Sequence, residues 1–64
     1  MKVEEFYNMI AFNEYHNIRI KDNNTDFVIT EFSRITDNIK EELLNAKIKG
    51  FATDWDKRIY ILWI

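Results

Sequence analysis

Arg58-Ile59-Tyr60-Ile61-Leu62-Trp63-Ile64 is the stretch that decides the fold. Its apolar run, Ile59 to Ile64, is rich in β-branched and aromatic residues, which favour a strand. It is far shorter than the roughly 20 residues a membrane-spanning helix needs. Successive side chains of a strand point to opposite faces, so Ile59, Ile61 and Trp63 line one face and Tyr60, Leu62 and Ile64 the other. Both faces require burial. Two short helices can cover only one of them, which leaves three large side chains on the other, enough for a patch of a few hundred Å². Either this strand lies inside a curled sheet, its second face closed by the loop Phe12 to His16 or by curvature, or a partner covers it. We expect the latter, self-association through this strand, because a domain this small gains stability from a partner.

Working back along the chain, Trp55-Asp56-Lys57 reads as a turn and Lys47 to Asp54 as the strand before it. Strict alternation would set Ile48 and Phe51 on opposite faces of that strand. Gly50, the one glycine, lies between them, where a bulge would let both face the core. Ile35, Ile39 and Leu43, with Leu44 and Ala46, follow a helical period, and Asn38 with Glu41 resembles a capping box, so a helix is predicted over Asp37 to Ala46. Ahead of it, Ile18 and Ile20 alternate with Arg19 and Lys21, Asp22-Asn23-Asn24-Thr25-Asp26 supplies turn residues, and Phe27 to Phe32 is again β-rich. That is a hairpin. Val3, Phe6, Tyr7 and Ile10 form one stripe of an amphipathic helix, with Glu4 and Glu5 suited to the positive end of its dipole. The predicted order is α-β-β-α-β-β, an α+β domain over residues 1–64 with a four-stranded antiparallel sheet and two short helices on one face.

Composition narrows the function. The 64 residues include 47% hydrophobic and 16% aromatic side chains, which is too apolar for disorder. A domain of this length buries only about 60% of its unfolded surface. With no cysteine and one histidine, neither a disulfide framework nor a Cys/His zinc site can add stability. Nine basic against eleven acidic residues give a net charge of −2, the wrong sign for a generic grip on phosphates. Residues 1–32 hold three basic and six acidic side chains, and residues 33–64 hold six and five. The opening Met1-Lys2-Val3-Glu4-Glu5 has no apolar stretch of a secretory signal, so we expect a cytoplasmic protein. Phe, Tyr, Met, Ile, Asn and Lys, whose codons are A/T-rich, make up 33 of 64 residues, as in a low-GC bacterium or its phages.

No catalytic constellation emerges and no cofactor is expected. His16 and Ser33 are the sole residues of their types, and neither lies beside a glycine-rich oxyanion segment. Asp22 and Asp26 at one hairpin tip, and Asp54 and Asp56 at the other, could gather around a divalent cation if both tips shared one end of the sheet; turn preference accounts for them more simply. Lys47, Lys49, Lys57 and Arg58 surround Phe51 and Trp55, an interleaving of base and aromatic that could track a single nucleic-acid strand. Asp54 and Asp56 interrupt it. Trp55, at a turn, either folds back over the sheet edge or is presented to a partner, where tryptophan is a favoured anchor.

Lys2-Val3-Glu4-Glu5-Phe6-Tyr7-Asn8, Asn17-Ile18-Arg19-Ile20, Glu42-Leu43-Leu44-Asn45-Ala46-Lys47-Ile48-Lys49 and Ile59-Tyr60-Ile61 together resemble small accessory proteins of phages and prophages in low-GC Gram-positive bacteria. Some similar short products are anti-CRISPR or other anti-defence proteins. The resemblance implies a stoichiometric inhibitor of a host nuclease and assigns no catalytic residue. The expected protein is therefore a homo-oligomeric inhibitor that binds its host target through Trp55, Tyr60, Leu62 and Ile64. The alternative is an oligomeric sheet module acting on nucleic acid through Lys47, Lys49, Lys57 and Arg58, with metal-dependent DNA nicking as its chemistry.

Overall fold

Ile18 and Ile20 on one strand meet Tyr60 and Leu62 on another, residue for residue and in the same direction, and the molecule is built around that pair. The computed structural model describes residues 1–10, 17–33 and 39–64. Within them lie α1 (Val3–Met9), β1 (Asn17–Lys21), β2 (Val28–Phe32), α2 (Glu41–Leu44), β3 (Gly50–Asp54) and β4 (Ile59–Trp63). This is the expected α+β order. The strands form one four-stranded sheet in the order β2-β1-β4-β3. Each sequential hairpin, β1 with β2 and β3 with β4, is antiparallel as expected, whereas the central pair β1 and β4 is parallel. The sheet is mixed.

Register and pleat sort the side chains. Val3 and Phe6 of α1 pack with Ile18, Ile20, Phe32 and Leu62 into a buried core, against which Tyr7, Ile10, Ile39, Leu44, Ala46, Ile48, Tyr60 and Ile64 are half-buried. Val3, Phe6, Tyr7 and Ile10 are the stripe read from the sequence. Glu5 anchors the start of α1, its carboxylate accepting the backbone N–H of Lys2 at 2.8 Å. The opposite face of the sheet pairs Arg19 with Glu31 at 2.8 Å, directly across the β1/β2 register, a favourable cross-strand ion pair.

Three local expectations are corrected. The second helix spans Glu41–Leu44 rather than running to Ala46, because Lys40 is extended (φ −62°, ψ 137°) and residues beyond Asn45 pair elsewhere. Val3 N–H donates to Ala46 C=O at 3.0 Å, Ile48 N–H donates to Met1 C=O at 2.8 Å, and Lys2 bridges Lys47. The predicted start of that helix at Asp37, its capping residue Asn38, and the loop Phe12 to His16 lie outside the described residues. Gly50 makes no bulge either: β3 and β4 pair without a slip from Gly50 against Trp63 to Asp54 against Ile59. Ile48 and Phe51 can share a side because Ile48 precedes the strand. Gly50 is small for another reason, since a Cβ there would sit 3.3 Å from Cε3 of Trp63. The register slip falls in β2, where Ile20 faces Thr30 but Lys21 faces Val28.

The Ile59–Ile64 segment runs through the middle of the sheet. Being central, β4 has no exposed residue. Ile59 and Leu62 are buried and Tyr60, Ile61, Trp63 and Ile64 are half-buried. An unbroken apolar run is what a parallel strand flanked on both sides looks like in sequence. The indole of Trp63 lies against Gly50 and donates its Nε1–H to Asp26 at 2.8 Å, and Lys21 Nζ sits 5.5 Å from the ring while contacting Asp26 at 3.0 Å. The chain therefore covers Trp63, at one end of this face of β4, with its own side chains.

Candidate protein-binding surface

The exposed apolar side chains lie away from β4. Phe51, on the edge strand β3, faces the same side as Leu62 across the register. Its ring is 5.4 Å from Phe6 and 6.1 Å from Tyr60, while Phe6 and Tyr60 meet edge-on at 5.4 Å. Packed on a core aromatic at one side, Phe51 is still 56% exposed, and Met1 and Met9 beside it are 62% and 61% exposed. Met1, Phe6, Met9, Ile48, Phe51 and Leu62 line an open groove of about 280 Å³ between α1 and β3 whose walls are almost wholly apolar. Local sequence explains why it stays open. α1 turns its stripe onto the sheet and leaves Met9 outside, and the bridge between Lys2 and Lys47 holds Met1 next to Ile48.

The expected partner-binding residues divide between surface and interior. Trp55 is 67% exposed at the β3–β4 tip. Leu62 is fully buried, and the partner contact expected of it is corrected, since it packs the core and forms part of the groove floor. Tyr60 stacks under Phe51, and Ile64 is half-buried against the core. Met1 and Met9 carry no binding signal in the sequence, and Phe51 enters it only as an aromatic among the bases of the nucleic-acid reading. Phe51 alternates as a core position would, and only its place on an edge strand exposes it.

The sheet sets the other candidate groups apart. Because β1 and β4 run parallel, the β1–β2 tip lies beside the end of β4, where Asn23 N–H donates to Ile64 C=O at 2.9 Å. The β3–β4 tip lies beside the start of β1, where Asn17 N–H donates to Arg58 C=O at 3.2 Å. The two tips are a strand length apart, about 16 Å for five residues. Asp22 and Asp26 therefore cannot share a cation with Asp54 and Asp56, and among the described residues no three His, Cys, Asp or Glu side chains are grouped to hold a metal. Lys47 and Lys49 are similarly separated from Lys57 and Arg58, since Lys49 N–H bonds Trp63 C=O at the far end of β4. All four bases are exposed, but they form no single surface.

The carboxylates instead organise the tips. Oδ1 of Asp22 accepts the N–H groups of Asn24 and Thr25 at 2.7 and 3.1 Å, and Oδ1 of Asp54 accepts that of Lys57 at 3.2 Å. Four residues after each of these aspartates the chain enters the left-handed region, at Asp26 (φ 62°) and Arg58 (φ 56°). The indole N–H of Trp63, and after it Lys21, holds the Asp26 carboxyl below the ordinary aspartate range.

No family model, curated protein or solved structure matches the chain. Among the described residues no helix is long and apolar enough to cross a membrane.

Proposed function

We propose that this protein acts by stoichiometric binding inside a bacterial host, as an inhibitor of a defence nuclease in the manner of anti-CRISPR proteins. The observation that supports this reading is the open apolar groove walled by Met1, Met9 and Phe51. Methionines adapt to the shape of whatever docks on them. Aromatic side chains that are already ordered lose little entropy on binding and dominate interface energetics. Phe51, stacked on Tyr60 and tilted against Phe6, is such an anchor, and Trp55 offers another at the tip of the same hairpin. The acidic balance of the chain suits a target whose own working surface is basic because it handles nucleic acid.

The test uses purified RNA-guided nucleases loaded with guide, and cleavage of a matched DNA is followed as the protein is added. Inhibition should titrate to completion near an integer ratio of inhibitor to nuclease, and Trp55→Ala or Phe51→Ser should raise the required concentration at least tenfold. In parallel, expression of the chain should restore plaquing of a phage on a host that otherwise restricts it. Intact restriction across a panel of such hosts, with no inhibition of any purified nuclease at tenfold excess, would sink the proposal. The nucleic-acid reading has less behind it, because Lys47 and Lys49 lie a strand length from Lys57 and Arg58. A gel shift on single-stranded DNA that weakens steeply with salt would restore it.

A further inference from the structure

The two edges of the sheet differ. β2 carries the register slip, and Phe27, Val28 and Ile29, which are 74%, 55% and 44% exposed, lie at that irregular end. Such a slip is one of the devices by which natural sheets spoil an edge for pairing. β3 has no such guard, since Gly50 to Asp54 pair with β4 in unbroken register and the strand holds neither lysine nor proline. Its neighbours show which way its backbone points. Asn17 N–H bonds Arg58 C=O and Ile64 N–H bonds Lys21 C=O, so by alternation Tyr60 and Leu62 turn their backbone groups to β1, and Ile59, Ile61 and Trp63 turn theirs to β3. Those three stand opposite Asp54, Ala52 and Gly50. The residues between point the other way, which aims the N–H and C=O of Phe51 and of Thr53 out of the sheet. Among the described residues none of these groups has a backbone partner.

We infer that the outer edge of β3 is where the target docks, as an extended segment that adds a fifth strand to the sheet; the inference rests on the protein-binding reading given above. Edge and groove select this occupant together. N–H and C=O groups free at every second residue are matched by another extended backbone. A docked helix cannot match them, because its own backbone groups are bonded within it. Alternate side chains of an added strand fall on one face of the sheet, and residues directly opposite share a face. Phe51 stands on the groove face with Met1 and Met9, so the segment carries apolar residues opposite Phe51 and Thr53. On the other face it meets Gly50 and Ala52, too small to discriminate. A second copy of β3 fits less well. To the groove face it would bring its own Phe51, already stacked on Tyr60 of the same chain, and Thr53, which is short and polar.

The probe is a display library of random octapeptides selected on the whole chain. Selected peptides should carry apolar residues at every second position. N-methylation of one such peptide should weaken binding at least tenfold at the residues whose N–H faces β3, and should not at the residues between. Thr53→Pro deletes an outward N–H and no bond within the sheet, so the variant should fold, as circular dichroism checks, and lose at least tenfold in peptide affinity. The N-methyl series needs no variant of the chain, so it decides even where the proline variant does not fold. Amide exchange followed by NMR reads the edge directly: Phe51 and Thr53 should exchange faster than Gly50 and Ala52 in the free chain and slow when peptide binds. The inference is overturned if no peptide is enriched, if N-methylation acts without alternation, or if folded Thr53→Pro binds at full strength. Protection of those two amides that grows with protein concentration and without peptide gives the edge to a second copy, and overturns it as well. The nuclease reading fails separately. Peptide binding without inhibition of any nuclease removes that reading alone, and inhibition by Thr53→Pro at wild-type potency removes strand addition alone.

Discussion

Replacing Leu62 with alanine separates the architecture described above from one in which β4 is a subunit contact. Leu62 has no exposed surface and sits among Val3, Phe6, Ile18, Ile20 and Phe32, joining α1 to the two central strands. Truncating a fully buried leucine costs about 3–4 kcal/mol, the lost transfer energy plus the cavity left behind. A chain of 64 residues has a total stability of about 3–10 kcal/mol, so the variant loses a third or more of what holds it folded. In a domain of this size each kcal/mol moves the melting temperature by about 4–8 °C, and the expected fall is therefore roughly 12–30 °C. Urea denaturation followed by tryptophan fluorescence, run at low micromolar concentration and again after tenfold dilution, reads the effect. For a core residue the midpoint drops equally at both concentrations and the slope is unchanged. A loss under about 1 kcal/mol, or one that depends on protein concentration, would refute the placement of Leu62 in the core.

Trp55→Ala, at an exposed tip, should change stability by no more than about 0.5 kcal/mol while reducing inhibition, a separation checked by a melt and a cleavage assay on the same sample. Arg58→Gly should raise the unfolding free energy by up to about 1 kcal/mol, because glycine takes φ near 56° without the clash an arginine Cβ meets there; a lower denaturation midpoint argues against strain at that turn. Gly50→Val should cost about 1–3 kcal/mol by pushing a side chain into the Trp63 ring, visible as a shifted Trp63 emission. Asp26 gives a pH signature. Its folded value lies below the unfolded one, so the stability it adds is fully present above the ordinary aspartate value near 3.9 and is lost as the pH falls through the lower folded value. Acid titration of Asp26→Asn should lack that portion of the wild-type decline, and an unchanged titration would show that the Trp63 and Lys21 contacts do not hold the carboxylate in solution.

Much of the fold was legible because periodicity reports burial on one side of an element. Val3, Phe6, Tyr7 and Ile10 spell a helix stripe, Ile18 and Ile20 an alternating strand, and Asp22 to Asp26 a turn. What misled was evidence that has two physical sources. A glycine in a strand can mark a bulge or make room for a ring, and Gly50 does the second. Ile48 looked like a strand residue because its neighbours alternate, yet its backbone is paired with Met1, a contact between residues 47 positions apart that no local window contains. The segment after Leu44 was lost to the helix in the same way, through the bond from Val3 N–H to Ala46 C=O.

The site was less legible, and the cause is the direction of a single strand pair. With antiparallel hairpins on either side, a parallel β1/β4 pair places the two tips at opposite ends of the sheet, while an antiparallel pair would place them together. The constellation that needed the tips to meet, the four aspartates, stood or fell on that choice. The signal for it was present in Ile59-Tyr60-Ile61-Leu62-Trp63-Ile64. Apolar on both faces, that run is what a central strand beside a parallel neighbour requires, and also what a strand awaiting a partner requires. The number of helices alone could not decide between them, because Trp63 is covered by Lys21, Asp26 and Gly50, side chains and backbone from the sheet itself. Once β4 is central, the surplus apolar surface must appear on the edges. It does so at Phe51 on β3 and at Phe27, Val28 and Ile29 leading into β2, where strand order rather than hydrophobicity determines what meets solvent.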